Sequence, residues 1–145
     1  MASSPSSLQV FGLRLGPGSD LLKSLQDFVV QAGLRAPFVV SCVGSLTSAR
    51  LRLANATATN TNEVLELSGR FEIVSLVGTL NPEAHLHLCL SDSEGRCVGG
   101  HVLGNLSVFT TAEVVLGEAL DLSFSREMDP QTGFPELVVE KRDRD

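Results

Sequence analysis

Residues 85–90, His-Leu-His-Leu-Cys-Leu, alternate without a break between leucine and a polar or sulfur-bearing side chain. Successive side chains leave a strand on opposite sides, so this period-2 pattern is a strand with one buried face. Leu86, Leu88 and Leu90 face a core, and His85, His87 and Cys89 the other side. Ser93-Glu94-Gly95 follows as a three-residue loop, with Gly95 at the position that needs a left-handed backbone. That loop pairs Asp92 with Arg96 and, counting back, His87 with His101. Opposed residues share a face, so the third imidazole comes to lie beside the first two. A four-residue loop would set His101 against Leu86 instead, because a one-residue slip flips every side chain. The hairpin then holds all three histidines of the chain on one surface.

Three neutral imidazoles on neighbouring strands form a rigid donor set for one divalent metal. Zinc takes such nitrogens at about 2.0–2.1 Å, and three protein ligands with an open position is the pattern of a catalytic site. Gly99-Gly100, next to His101, lets backbone approach closely or permits a bulge that re-aims the ring. The competing reading is an exposed polar strand face. Cys89 and Cys97 fall on the same predicted face as second-choice ligands, since small half-buried thiols more often serve packing.

The rest of the chain reads as one domain. Its 145 residues are 43% hydrophobic and 19% charged, enough for a core and too apolar for disorder. The net charge of −6 and the lack of Trp and Tyr argue against direct nucleic-acid binding, which needs cationic surface or stacking platforms. Three cysteines fit no disulfide framework and point to free thiols in a reducing compartment. No signal peptide is read at the N-terminus, and no apolar run reaches membrane-spanning length. The expected place is the cytoplasm, or the nucleus.

Residues 1–7 are small and polar and are expected to form a flexible tail. Leu8–Leu15 alternates as a first strand. Ser19 or Asp20 caps a helix running to Ala32, with Leu21, Leu22, Leu25, Phe28 and Val29 as its apolar stripe and Gly33 as its stop. Strands are expected over 36–43, 46–53, 63–67 and 70–78, with breaks at Gly44-Ser45 and at Gly69 and a polar loop from Asn55 to Asn62. Asn81-Pro82 turns the chain into the histidine hairpin. Strand signal resumes from Asn105 to Leu116, Leu120 to Arg126 and Leu137 to Val139, and 141–145 reads as a solvated charged tail. One early helix and many strands make an α+β domain over 8–140, built on a mainly antiparallel sheet.

Several separated strings occur together: His85-Leu86-His87-Leu88 with Leu90-Ser91-Asp92, Val98-Gly99-Gly100-His101 with Gly104, and Thr110-Thr111-Ala112-Glu113-Val114. With Gly44-Ser45-Leu46, Phe71-Glu72-Ile73 and Thr132-Gly133-Phe134, they span nearly the whole sequence. In this order they resemble the PPC (plants-and-prokaryotes conserved) domain. The resemblance implies a homotrimer that binds zinc through His85, His87 and His101, as a stand-alone member of the family. It also implies a fold similar to that of acetolactate decarboxylase, a zinc lyase with a comparable site. Plant members follow an AT-hook in nuclear proteins that regulate transcription. An AT-hook needs an Arg-Gly-Arg-Pro core, which this sequence does not contain, so it would supply the oligomerising, partner-binding half of that architecture.

Glu113 lies inside an apolar strand and is the candidate for acid/base or ligand-orienting work beside the metal; the alternative is a polar residue at a subunit contact. No nucleophile motif is present. The uses that stay open are a trimeric zinc-binding interaction module, a zinc lyase or hydrolase acting on a small carbonyl or carboxylate compound, and a component of a transcription complex. An open pocket with a convergent Arg or Glu favours the enzyme, and a closed or flat site favours the module.

Overall fold

The computed structural model describes residues 4–61 and 63–143. Its elements run β1 (Leu8–Leu15), α1 (Leu21–Ala32), β2 (Pro37–Arg52), β3 (Val64–Thr79), β4 (His85–Ser91), β5 (Cys97–Gly104), β6 (Val108–Ala119), β7 (Leu122–Asp129) and β8 (Phe134–Lys141). Six strands form one sheet in the order β1-β6-β2-β3-β4-β5, and β7 and β8 pair separately. All of these pairings are antiparallel. An α+β chain with a mainly antiparallel sheet is therefore what forms.

β2 organises the sheet. It is 16 residues long, and it pairs with β6 along its first part, with β5 at Arg50–Arg52 and with β3 at both ends. The β2–β5 pairing closes β2, β3, β4 and β5 into a ring. Leu46, Leu51, Leu86 and Leu90 are fully buried within the core, each worth about 1.5–3 kcal/mol relative to exposure. Leu21, Leu25 and Val29 of α1 pack onto this core, and Phe28 meets Phe11 edge-on at 5.3 Å. Asp20 caps the helix by accepting from the Lys23 amide at 2.9 Å.

Two expected breaks are absent. β2 runs through Gly44 and β3 through Gly69 as single strands. At Gly44 the glycine serves close packing: φ is 147°, and a Cβ there would collide with the Thr111 carbonyl of β6. Glycine in a strand interior marks a bend or close backbone approach as often as an end, and local sequence does not separate the two.

The chain ends also depart from expectation. The loose tail was expected over residues 1–7, of which 1–3 lie outside the described residues. Ser6 accepts from the Asp121 amide at 3.0 Å, and the Ser7 amide donates to the Asp121 carboxylate at 2.8 Å. At the other end, residues 144–145 lie outside the described residues, as does Asn62 of the polar loop. Arg142, placed in a solvated tail by its charge, instead folds inward. Its guanidinium is 3.3 Å from Glu118, a residue only 5% exposed, and donates to the Leu120 carbonyl at 2.8 Å. Glu118 also accepts from the Arg35 and Ala36 amides. Arg142→Ala is expected to cost about 1.5–3 kcal/mol, the range of hydrogen bonds to charged groups. Urea unfolding checks this; an unchanged midpoint would place the contact among surface pairs of no consequence.

Candidate metal centre

The hairpin takes the three-residue loop that the imidazole register requires. The Asp92 amide donates to the Arg96 carbonyl at 2.9 Å, Gly95 donates back to the Asp92 carbonyl at 3.0 Å, and Gly95 has φ 78°. The Asp92 carboxylate accepts from the Glu94 and Arg96 amides, each at 2.9 Å. These amide contacts hold its pKa below the usual carboxylate range. The turn fixes the ladder, and His87 stands opposite His101. Leu86, Leu88 and Leu90 are buried, while His85 and His87 are exposed and His101 is half-buried.

The rings converge. Centroids are 5.2 Å apart for His85 and His87, 5.3 Å for His85 and His101, and 5.6 Å for His87 and His101. One nitrogen from each lies within 4.8 Å of the others. Tetrahedral bonds of 2.0–2.1 Å place donor atoms about 3.4 Å apart, so small ring rotations would let all three hold one ion. Close strand contact supports this geometry. A Cβ on Gly100 would lie 2.8 Å from the Arg52 carbonyl, and one on Gly99 2.5 Å from the Leu88 carbonyl. The pair of glycines thus lets β5 sit tightly between β4 and β2.

Burial and nearby charge favour the unprotonated form of two of the donors, His101 and His85. Burial first, then the charge of Arg52 and the neighbouring imidazoles, push His101 down to about 4. Burial and Arg126 lower His85, against a smaller opposing pull from Glu136. Neutral imidazole is the form that binds a metal. An unfolded histidine titrates near 6.5, so between that pH and about 4 the unfolded chain binds more protons than the folded one. Stability of the metal-free protein is therefore full above the unfolded value and falls as pH drops through this window. Thermal melts from pH 7 to pH 4 should show that decline, and it should flatten in His101→Gln; equal slopes in the two proteins would contradict it.

The thiols do not join the donor set. Cys89 and Cys97 are diagonal neighbours on the β4–β5 ladder, and burial followed by the adjacent thiol raises the pKa of Cys89, which disfavours the thiolate a metal needs. Within one chain Glu113, the acid/base candidate, lies apart from the imidazoles. It is exposed on β6, where it pairs with Arg14 of β1 and Val43 of β2. His101 pairs with Arg52 at the far end of β2. Nine strand residues separate those two levels, about 30 Å along an extended strand. Glu113 lines a shallow depression with Arg14 and Val43, away from the imidazoles.

Two cavities open beside the rings. One, of about 240 Å³, lies between His85, His101 and the β7–β8 hairpin. The other, of about 530 Å³, lies by His87, Leu53 and Ala56. Arg52 and Arg126 line the first cavity. Sequence reading gave neither arginine a role. Their meeting depends on the β2–β5 closure and on where β7 docks, and no local pattern signals either.

Three imidazoles on a closed antiparallel sheet define a class: a small β-rich domain with a three-histidine site on one hairpin. The family model of the Plants and Prokaryotes Conserved (PCC) domain matches residues 2–120, and the chain belongs to that family. A bifunctional protein GlmU from Synechococcus sp. (strain JA-3-3Ab) is 48% identical over 93% of the chain. The AT-hook motif nuclear-localized protein 13 of Arabidopsis thaliana is 36% identical over 69%. The chain spans about a fifth to a quarter of the length of these relatives, 21% and 24%. A hypothetical protein from Salmonella superposes with a TM-score of 0.88 at 39% identity, covering 96% of this chain and 98% of its own. A metal-containing protein from Archaeoglobus fulgidus superposes with a TM-score of 0.81 at 26% identity, covering 95% and 99%. No helix among the described residues is long and apolar enough to cross a membrane.

Proposed function

We propose that the chain is a zinc-binding domain of this family that works as a homotrimer, with His85, His87 and His101 holding one ion and leaving a coordination position open to solvent. The observation that carries the reading is the convergence of three imidazoles, one nitrogen from each within 4.8 Å of the others. The likeness to a protein described as metal-containing adds support. For assembly, the support is an apolar outer surface. Val40 and Val43 lie on β2, and Val74 and Val77 on β3, which pairs with it. All four valines are about half exposed. Such a patch is a surface that protein contacts cover.

Of the uses for such a centre, the cavity favours one. A metal site that opens onto about 240 Å³ with two guanidinium groups is neither closed nor flat. It fits a lyase or hydrolase working on a small carbonyl or carboxylate compound better than a purely structural interaction module. When bound, the ion would polarise a carbonyl or generate hydroxide. This chain's residues would orient the compound and hold His85 and His101 in the neutral form. The relationship to AT-hook nuclear proteins supports the reading as part of a transcription complex, and the net charge of −6 makes protein partners, not nucleic acid, its contacts there.

The test is metal content by mass spectrometry together with sedimentation. One zinc per chain in a particle of three chain masses is expected. A chain that takes up no zinc from a zinc-buffered solution removes the metal reading, and a monomer removes the trimer.

A further inference from the structure

Arg52 and Arg126 are half-buried, and both line the cavity beside His85 and His101. Each is held from one side. Arg52 lies over the Phe134 ring, 5.4 Å from its centroid, and Arg126 donates to Thr79 Oγ1 at 3.2 Å. Among the described residues neither has a carboxylate within ion-pair distance. Glu83 and Glu136 line the same cavity but form no pair with them. A half-buried cation without an ion-pair partner is costly to keep, and a planar guanidinium matches the two oxygens of a carboxylate. The cavity of about 240 Å³ falls below the roughly 300–1,000 Å³ of pockets for drug-sized ligands. The space between the arginines and the rings therefore suits a ligand of a few carbons, and the second cavity of about 530 Å³ shares Arg52, His85 and His101 with it.

Resting on the metal reading above, we propose that this cavity recognises a short 2-oxo or 2-hydroxy acid, its carboxylate held by Arg52 and Arg126 and its neighbouring oxygen turned to the ion on His85, His87 and His101. The arginines select the anion, and the ion selects the adjacent oxygen. Arg52 and Arg126 are positioning residues, and Phe134 holds the Arg52 guanidinium in place.

The experiment titrates pyruvate, acetate and inorganic phosphate by calorimetry into zinc-loaded protein, metal-free protein and the Arg126→Gln variant, with zinc content measured for each. Pyruvate should bind the zinc-loaded protein at least about tenfold more tightly than acetate, which lacks the second oxygen. Arg126→Gln should weaken pyruvate by about 10- to 100-fold, as the loss of hydrogen bonds to a charged group does, at unchanged zinc content. Arg52→Gln should act in the same direction and guards against a local folding defect at position 126. No pyruvate binding by a zinc-loaded protein overturns the proposal and leaves the metal reading intact, as does binding indifferent to both arginines. Tighter binding of phosphate than pyruvate overturns the carboxylate assignment. If no zinc is taken up, the metal reading fails by itself. The arginine pair is then judged on metal-free protein, where pyruvate binding that depends on Arg126 upholds it and any other result overturns it.

Discussion

His87→Ala is expected to abolish stoichiometric zinc binding and leave the fold in place. His87 is exposed, so truncating it creates no cavity, while Leu86 and Leu88 on the opposite face stay buried. What it removes is one of three donors, leaving His85 and His101. Even partners that touch a metal only through its ligands cost 10- to 100-fold in affinity when lost, so a direct ligand should cost more than about 100-fold. Ion binding to the native state alone raises stability by about 2.7 kcal/mol at a hundredfold excess over Kd, so zinc should shift the melting temperature of the parent protein and not that of the variant. Competition against a chromophoric chelator gives the affinity, and circular dichroism reports the fold. Retained tight binding in a folded variant would mean the three rings are an exposed polar face.

The second large effect is expected at Gly78. Its φ is 137°, and a Cβ there would collide with the His85 carbonyl oxygen and stand 2.9 Å from its carbon. Both atoms are backbone, so β3 and β4 must separate to make room. Strain at a positive φ costs about 1–3 kcal/mol and overpacking a further 1–3, so Gly78→Ala should lose about 3 kcal/mol or more. The displaced residue is His85, a donor, so zinc affinity should fall as well. Gly44→Ala supplies the comparison. Its Cβ would collide with the Thr111 carbonyl in the same manner, but on the β2–β6 side, where no imidazole sits. Similar destabilisation with zinc affinity kept is expected there. If both variants lose metal equally, the coupling of β3 to His85 is wrong and metal loss merely follows unfolding.

The histidine hairpin was legible in the sequence because its logic is local. Alternation, a three-residue loop and Gly95 determine which residues oppose each other, and the observed ladder sets His87 against His101. The helix was legible for the same reason, through Asp20 and Gly33. Strand continuity at Gly44 and Gly69 was not: at Gly44 the glycine answers to the Thr111 carbonyl on a partner strand far along the chain, while at Gly69 β3 simply runs on. Glu113 looked chemical because it interrupts an apolar run, but its neighbours are Arg14 and Val43. The charged end misled for the converse reason. Arg142 reads as solvated until Glu118, 24 residues earlier, is seen buried beneath it.

The donors and the wall opposite them belong to different sheets. The imidazoles ride on β4 and β5, whereas Arg126 and Phe134 come from the two-stranded β7–β8 unit, and Arg126 lies past the stretch the family model matches. Grafting a foreign hairpin in place of residues 122–141 would thus be expected to retune which acid is accepted without disturbing the ion. On the function proposed above, the donors and the wall that selects the acid are separate parts of the fold, so one can change without the other.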